Sequence, residues 1–216
     1  MAIKGAIFDM DGTLTDSMHL WIEIGRRYIE SIGLTATPEQ TYMMSTMLLE
    51  PMALYMQDEF GLSDTQDELV AAMNKMVEPG YFEEVPLKDG VEAFLQALAD
   101  RGVKMCVATA TDRHLTEACL SRLGIDRFFS AIFTCGEEHC NKRTSHLYDL
   151  AREHLGTSPE ETWIFEDTWV SLQGAVQSGC KTMAMHDVWA EKHTEEIRGL
   201  ADRYAVRMSD IDPDSL

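Results

Sequence analysis

Short apolar runs of strand length recur along the chain, and segments whose apolar residues have helical spacing separate most of them. The strand-like runs are 6–8, 105–108, 131–133, 163–165 and 182–185. Three helical stretches, 91–101, 113–123 and 145–155, each end directly before a glycine, as helices commonly do. Continuous apolar strands that alternate with helices indicate a parallel sheet covered on both faces. The pattern predicts an α/β fold with a Rossmann-like, doubly wound parallel-sheet core.

One long segment between the first two strand-like runs does not follow this alternation of strands and helices. Residues 16–87 contain no convincing strand, and their apolar residues recur at helical spacing. We therefore expect an all-helical domain over 16–87, inserted into an α/β core that is formed by 1–15 and 88–216. Residues 209–216 are expected to form a short loose tail.

The composition is that of a globular protein with an unusually acidic charge balance. Of 216 residues, 45% are hydrophobic and 25% are charged, which is ordinary for a chain with a sizeable core. The formal net charge is −19, and such a surface repels phosphate backbones, so nucleic-acid binding is not expected.

No apolar run approaches the roughly 20 residues of a membrane helix. Five cysteines without C-x-x-C spacing are expected to be free thiols. We expect a cytoplasmic monomer without a membrane partner.

Two aspartates, Asp9 and Asp11, directly follow the first strand-like run and precede Gly12. Ligands of open α/β sheets bind beyond the carboxyl ends of the strands, so the pair lies where chemistry is expected. One carboxylate can ligate magnesium and attack phosphorus, and the other can handle the proton of the leaving group. A calcium loop does not fit, because Gly12 is fourth from Asp9 and that loop needs its glycine sixth. A helix cap or a solvated turn is the structural alternative.

Further polar residues follow the ends of later strand-like runs. Thr109 and the backbone from Ala110 onward could hold phosphate oxygens, although a threonine there could also cap the next helix. Lys142 could neutralise carboxylates and bind phosphate, with a solvated surface lysine as the alternative. Glu166 and Asp167 add two carboxylates, which complete a set of oxygen ligands suited to magnesium.

Together and in this order, these residues resemble the four motifs of the haloacid-dehalogenase-like superfamily of phosphotransferases. Segment 9–17, Asp-Met-Asp-Gly-Thr-Leu-Thr-Asp-Ser, is similar to the first motif over its full length. Thr109 is similar to the second motif, Lys142 to the third and 166–168 to the fourth. The resemblance covers nearly the whole chain, and the form of the last motif is most similar to the β-phosphoglucomutase-like and phosphatase branch. The helical insert corresponds to the small helical cap of this family.

The resemblance implies a role for each matched carboxylate. Asp9 would be the nucleophile that forms an aspartyl-phosphate, and it would also ligate Mg²⁺. Asp11 would be the general acid and then the base that activates water, with its backbone carbonyl on the metal. Asp167 would be a direct Mg²⁺ ligand, and Glu166 a direct or water-mediated one.

The remaining matched residues would bind the phosphoryl group. Thr109 would donate a hydrogen bond to it, Lys142 would steady it beside Asp9, and the backbone at Ala110 would contribute to the same phosphate site. The cap would close to exclude water and select the substrate. Residues 143–146, Arg-Thr-Ser-His, depart from the proline-rich run that usually follows the lysine of the third motif.

The insert favours a phosphatase over a phosphosugar mutase. Mutase relatives tend to carry a histidine where this chain has Trp21, and no arginine for a second phosphate is present in 40–50. Residues 16–86 hold 13 acidic and three basic residues, which disfavours a bisphosphate intermediate. We therefore expect a magnesium-dependent phosphatase that acts on a small phosphorylated metabolite, which the sequence does not name. A β-phosphoglucomutase-like mutase is the alternative, and a non-catalytic binding protein on the same fold is the alternative from another class.

Two other groups of metal-binding residue types fit a site less well. The pair His186-Asp187 lacks the partners that a metal-dependent phosphohydrolase needs, and is interpreted as loop structure. The second group has no zinc-knuckle spacing, and a zinc site there is not expected. Its members are Cys135, His139, Cys140 and His146.

Overall fold

A computed structural model describes residues 2–216 and divides the chain into two compact units. One unit runs to Asp16 and resumes at Val85–Leu216, and the other is Ser17–Glu84. These boundaries lie one and three residues from the expected ones. The α/β unit extends further because its two connecting segments pair with each other. The Asp16 amide donates to the Pro86 carbonyl (3.0 Å), and the Lys88 amide donates to the Leu14 carbonyl (3.0 Å).

A parallel sheet forms the centre of the α/β unit. Its strands are β1 Gly5–Phe8, β2 Lys104–Thr109, β3 Ile132–Thr134, β4 Thr162–Glu166, β5 Lys181–Met185 and β6 Arg203–Ala205. All neighbours are parallel, in the order β3-β2-β1-β4-β5-β6, which confirms the predicted Rossmann-like, doubly wound core. The edge strand β6 was not predicted, because three residues with one buried position carry no readable periodicity.

Helices cover both faces of this sheet. The helices of the described chain are α1 Met18–Ile22, α2 Ile24–Ser31, α3 Pro38–Ser45, α4 Leu49–Phe60, α5 Gln66–Pro79, α6 Val91–Asp100, α7 Arg113–Arg122, α8 His146–Leu155, α9 Trp169–Gln177 and α10 Thr194–Leu200.

Successive residues of β1 point to opposite faces of the sheet. Ile7 packs in a buried cluster with Tyr148 of α8. Phe8 stacks on Phe165 (ring centroids 4.4 Å apart) and meets the edge of Phe94 of α6 (6.4 Å). The sheet therefore has an apolar core on each side, with the polar strand ends left for the site.

The second unit is entirely helical and comprises α1–α5 and a π-helical turn, Gly80–Glu84. Thr37 and Thr65 precede α3 and α5 as capping boxes, in which each hydroxyl accepts a hydrogen bond from the backbone amide three residues on. Four of the eight methionines of this unit lie in the core of the bundle. The buried ones are Met44, Met52, Met56 and Met73. Inside the same unit, Trp21 Nε1 donates to the Tyr81 hydroxyl (2.6 Å).

The carboxyl-terminal segment is packed, so the expectation of a loose tail at 209–216 was wrong. Two 3₁₀ turns, Met208–Asp210 and Pro213–Ser215, shape it. Leu216 is only 6% exposed, and Arg101 pairs with Asp214 at 2.8 Å. Among residues 2–216, no helix has the length and apolar character that crossing a membrane requires.

Candidate active site

The candidate site lies at the carboxyl ends of the three central strands. Strand β1 lies between β2 and β4, and the order of strands along the chain reverses here, which is where open α/β sheets bind ligands. Asp9 follows β1, Thr109 ends β2 and Glu166 ends β4. The Asp9 amide donates to the Phe165 carbonyl (3.0 Å), so the β1–β4 ladder continues up to the nucleophile candidate.

Three carboxylates converge at this point. One oxygen each from Asp9, Glu166 and Asp167 lies within 4.8 Å of the others, and all three residues are buried. Glu166 Oε2 and Asp167 Oδ2 are buried without a hydrogen-bond partner in the described structure. Buried carboxylate oxygens without a donor are costly unless a cation takes them. The donor set therefore fits a hard divalent cation with oxygen ligands, such as Mg²⁺.

Lys142 joins this cluster from the loop between β3 and α8. Its ammonium is buried, donates to Asp9 Oδ1, and donates to Glu166 Oε1 at 2.5 Å. Burial opposes the charged form, but Asp9 and Glu166 outweigh it and raise the pKa of Lys142 above its usual value. Three carboxylates and one ammonium leave an excess of negative charge, which a divalent cation would neutralise.

The same crowding affects the carboxyl groups. Burial, and then the charge of Glu166, raises the pKa of Asp9 to about 8. Burial and the charges of Asp9, Glu166 and Asp187 raise the pKa of Asp167 well above its usual value. In the protein alone, protons therefore compete with a cation for these groups.

Asp11 lies near this cluster but its carboxylate is engaged elsewhere. Its Oδ2 accepts from the Thr111 hydroxyl at 2.6 Å. Thr109 is fully buried and its Oγ1 accepts from the Thr111 amide (3.1 Å), so its own proton is available to a ligand. Ala110 lies exposed between them. Helix α7 begins after Asp112 without a side-chain cap, so neither threonine serves as its cap. The signal that could have identified Thr111 is its hydroxyl two residues past a strand end.

Tyr148 is a site residue that the sequence analysis missed. Its hydroxyl donates to Glu166 Oε1 (2.7 Å), the same oxygen that Lys142 binds, and leaves Oε2 for another partner. Burial and the charge of Glu166 raise the pKa of Tyr148 well above its usual range, so the hydroxyl stays a donor. Tyr148 lies in the apolar stripe of α8, where residues usually belong to the core, and the sequence pattern therefore gave no sign of a role in the site.

The loop that carries Lys142 packs directly on helix α9. A Cβ atom at Gly174 would lie 2.3 Å from the Lys142 carbonyl oxygen and 2.5 Å from the Thr144 carbonyl oxygen. Only glycine therefore allows this approach of backbone to helix. The contact gives a physical account of how a loop without the usual prolines keeps its place.

The four candidate zinc residues do not gather into a site. Among residues 2–216, the acidic group is the one cluster of three or more His, Cys, Asp or Glu with ligand atoms close enough to share a metal. Cys135, His139, Cys140 and His146 are not part of it.

The sequence profile of the haloacid dehalogenase-like hydrolases matches residues 6–185 of this chain. The chain belongs to this family. The resemblance drawn from the four motifs is thereby confirmed, and so is the prediction of an enzyme of the hydrolase class.

Two proteins to which the chain is similar are named as phosphatases. The phosphorylated carbohydrates phosphatase of Thermotoga maritima is 25% identical over 178 residues, which cover 82% of either chain. The fructose-1-phosphate phosphatase YqaB of Escherichia coli is 26% identical over 185 residues, which cover 81% of this chain and 92% of the relative. The fold is also similar to that of CbbY from Rhodobacter sphaeroides in complex with phosphate. That structure has a TM-score of 0.84 and 20% identity, over 99% of this chain and 100% of the other.

Proposed function

We propose that the protein is a magnesium-dependent phosphatase that hydrolyses a small phosphorylated metabolite through an aspartyl-phosphate on Asp9. The observation that carries the proposal is the buried group of Asp9, Glu166 and Asp167, with Lys142 bonded to Asp9. Such a group combines a nucleophile, cation ligands and a phosphate-binding ammonium within one buried site. Its family and its phosphatase relatives support the same reaction.

Asp9, Glu166, Asp167 and the backbone carbonyl of Asp11 would hold Mg²⁺. The orphaned oxygens of Glu166 and Asp167 support this assignment. When bound, the ion offsets the negative charge of the cluster and of the phosphoryl group, and keeps the nucleophile ionised.

Hydrolysis would then take two displacement steps at phosphorus, with Asp9 as the nucleophile and Asp11 as the acid and then the base. In the first step, an Asp9 carboxylate oxygen forms a bond to phosphorus as the bond from phosphorus to the leaving oxygen breaks. Asp11 gives its proton to that oxygen. In the second step, Asp11 takes a proton from water, whose oxygen attacks phosphorus and releases inorganic phosphate and the Asp9 carboxylate.

Neighbouring groups orient these reactants. The Thr111 hydroxyl donates to Asp11 Oδ2, so the transferable proton belongs on Asp11 Oδ1. Lys142 holds Asp9 by a charge-assisted hydrogen bond and would bind a phosphoryl oxygen, with Thr109 and the backbone at Ala110 as further donors.

We propose a sugar monophosphate as the substrate class and the helical unit as the cap that selects it. The relatives named for phosphorylated carbohydrates and for fructose 1-phosphate support this class. Hydrolysis is favoured over mutase activity by Trp21, which donates to Tyr81 and offers no acid–base group where mutase relatives tend to carry histidine. The excess of acidic residues in the helical unit also disfavours a sugar bisphosphate.

A panel of sugar monophosphates and an aryl phosphate, assayed with Mg²⁺ and with a chelator, tests the proposal. We expect phosphate release that requires Mg²⁺, that is lost in Asp9→Asn, and that is unchanged in the surface variant Asp126→Asn. Full activity in Asp9→Asn, or no release from any substrate, would contradict the phosphatase. Conversion of β-glucose 1-phosphate to glucose 6-phosphate faster than hydrolysis would support the mutase instead.

A further inference from the structure

Lys88, next to the segment that leads out of the helical unit, joins two loops at the rim of the candidate site. Its ammonium donates to the Gly12 carbonyl (2.6 Å), to the His186 carbonyl (2.7 Å) and to Asp187 Oδ2 (2.9 Å). The side chain is 18% exposed, and that of Asp187 is 2% exposed. All three ammonium protons are therefore used inside the protein, and a role as a solvated surface lysine is excluded.

The contact with Gly12 acts on the turn that carries Asp11. Gly12 has a φ of 83°, and its amide donates to the Thr15 carbonyl (2.9 Å). Glycine has no side chain to restrict its backbone dihedral angles, so contacts with other residues fix the orientation of the peptide groups on either side of Gly12. Lys88 supplies one on the carbonyl side, as a charge-assisted bond. The neighbouring peptide contains the Asp11 carbonyl, which the proposed function places on Mg²⁺.

The contact with Asp187 concerns charge. Asp187 follows β5, next to the strand that ends in Glu166, and its charge acts on Asp167. Without a cation beside it, this carboxylate would add a further buried negative charge to the rim of the acidic cluster. Asp187 also orders its own loop, because Oδ1 accepts from the Trp189 amide (2.9 Å). The pair His186-Asp187, interpreted from the sequence as loop structure, is thus the partner of Lys88.

We propose that Lys88 is a positioning residue, whose ammonium fixes the Gly12 turn and thereby the Asp11 carbonyl and carboxylate for Mg²⁺ binding and proton transfer. The inference rests on the proposed phosphatase function. Because its ammonium donates three hydrogen bonds inside the protein, Lys88 acts through the turn and not as a ligand of substrate or metal. Outer-shell partners of metal sites typically contribute about 10–100-fold to metal affinity or activity.

The test compares Lys88→Met with the substitution of a lysine at the amino ends of the strands, opposite the candidate site. Lys104 begins β2, and its ammonium donates to the Leu155 carbonyl (2.8 Å), so Lys104→Met removes the same kind of bond far from the site. Each variant is measured for kcat, for KM of the aryl phosphate, and for the half-saturating Mg²⁺ concentration, which is the dissociation constant fitted to the rise of Tm with Mg²⁺ concentration. The thermal shift needs no substrate, so it tests Lys88 even if the wild-type enzyme hydrolyses nothing and the proposed function fails.

We expect Lys88→Met to lower kcat about tenfold or more and to raise the half-saturating Mg²⁺ concentration by a similar factor, with KM nearly unchanged. Lys104→Met should stay within about twofold of wild type in all three measurements. Asp187→Asn keeps the bond to Gly12 and should have the smaller effect.

The double variant Lys88→Met/Asp187→Asn separates positioning from charge balance, and serves as the test if Lys88→Met does not fold. This variant removes both charges of the Lys88–Asp187 pair, so no buried charge is left unpaired. The Gly12 carbonyl still lacks its ammonium donor, so kcat should stay as low as that of Lys88→Met. Two results would overturn the proposal: a Lys88→Met variant that matches Lys104→Met in kcat and Mg²⁺ dependence, or a double variant that recovers wild-type values.

Discussion

Replacing Gly174 by alanine would press on the loop that carries Lys142. The added Cβ would lie 2.3 Å from the Lys142 carbonyl oxygen and 2.5 Å from that of Thr144. Because both atoms belong to the backbone, no side-chain rotation relieves the overlap. Moving the nearer oxygen out to a 3.0 Å contact requires a shift of about 0.7 Å, and the loop is the element that must give way.

The effect on stability is the difference between two terms. Alanine is favoured over glycine in a helix by up to about 1 kcal/mol. Overpacking against fixed atoms typically costs about 1–3 kcal/mol. We expect a net destabilisation of about 1–2 kcal/mol, which for a chain of this size lowers the Tm by about 2–8 °C.

The effect on activity follows from the displaced loop. The Lys142 ammonium donates to Asp9 and Glu166, and a misplacement approaching 1 Å in an active site can cost about 10²-fold. We expect kcat for an aryl phosphate to fall about 10–100-fold in Gly174→Ala at a temperature where the variant is fully folded.

Gly199→Ala is the matched control, because Gly199 also lies within a helix, and a Cβ there meets no atom within 4 Å. Thermal melts and steady-state kinetics of the two variants are compared. The control should keep wild-type kcat and a Tm equal to or above that of wild type. A Gly174→Ala variant with the kcat and Tm of the control would refute the inference that this contact positions Lys142.

Three further predictions concern the groups around the carboxylates. Thr111→Val removes the donor to Asp11 Oδ2 and should lower kcat about tenfold with little change in KM; an unchanged kcat would contradict this role. Tyr148→Phe removes a donor to Glu166 and should raise the half-saturating Mg²⁺ concentration several-fold; an unchanged Mg²⁺ titration would show that Lys142 alone suffices. Folding raises the pKa of Asp9 to about 8, so the metal-free protein should lose stability between the usual carboxyl pKa and pH 8, while the thermal shift by Mg²⁺ grows over the same range. Calorimetric melts at pH 6 and pH 8.5 check this, and an equal shift at both would contradict it.

The elements that the sequence predicted well are those with continuous apolar character. Strand β4 contains the uninterrupted apolar run 163–165 and helix α8 has an apolar stripe, and both appear where the pattern indicated. The edge strand β6 and the packed end at Leu216 were missed. Both are held by contacts between separate parts of the sequence, which no local periodicity records: β6 pairs with β5, and Arg203 donates to Ser215.

The site shows the same division between local and long-range information. Asp9, Glu166 and Lys142 were singled out because each follows a strand end, and the structure places them together. Lys88 and Tyr148 follow no strand end, and their partners are distant in sequence, so only the folded chain identifies them.

The most direct test of the proposed mechanism is to look for phosphate bound covalently to Asp9. Enzyme that turns over a ³²P-labelled sugar phosphate with Mg²⁺ is quenched in acid, digested and mapped by mass spectrometry. We predict an alkali-labile label on the peptide that contains Asp9, absent from Asp9→Asn and from enzyme treated with a chelator. Sustained Mg²⁺-dependent phosphate release with no label on that peptide, and retained activity in Asp9→Asn, would contradict the account.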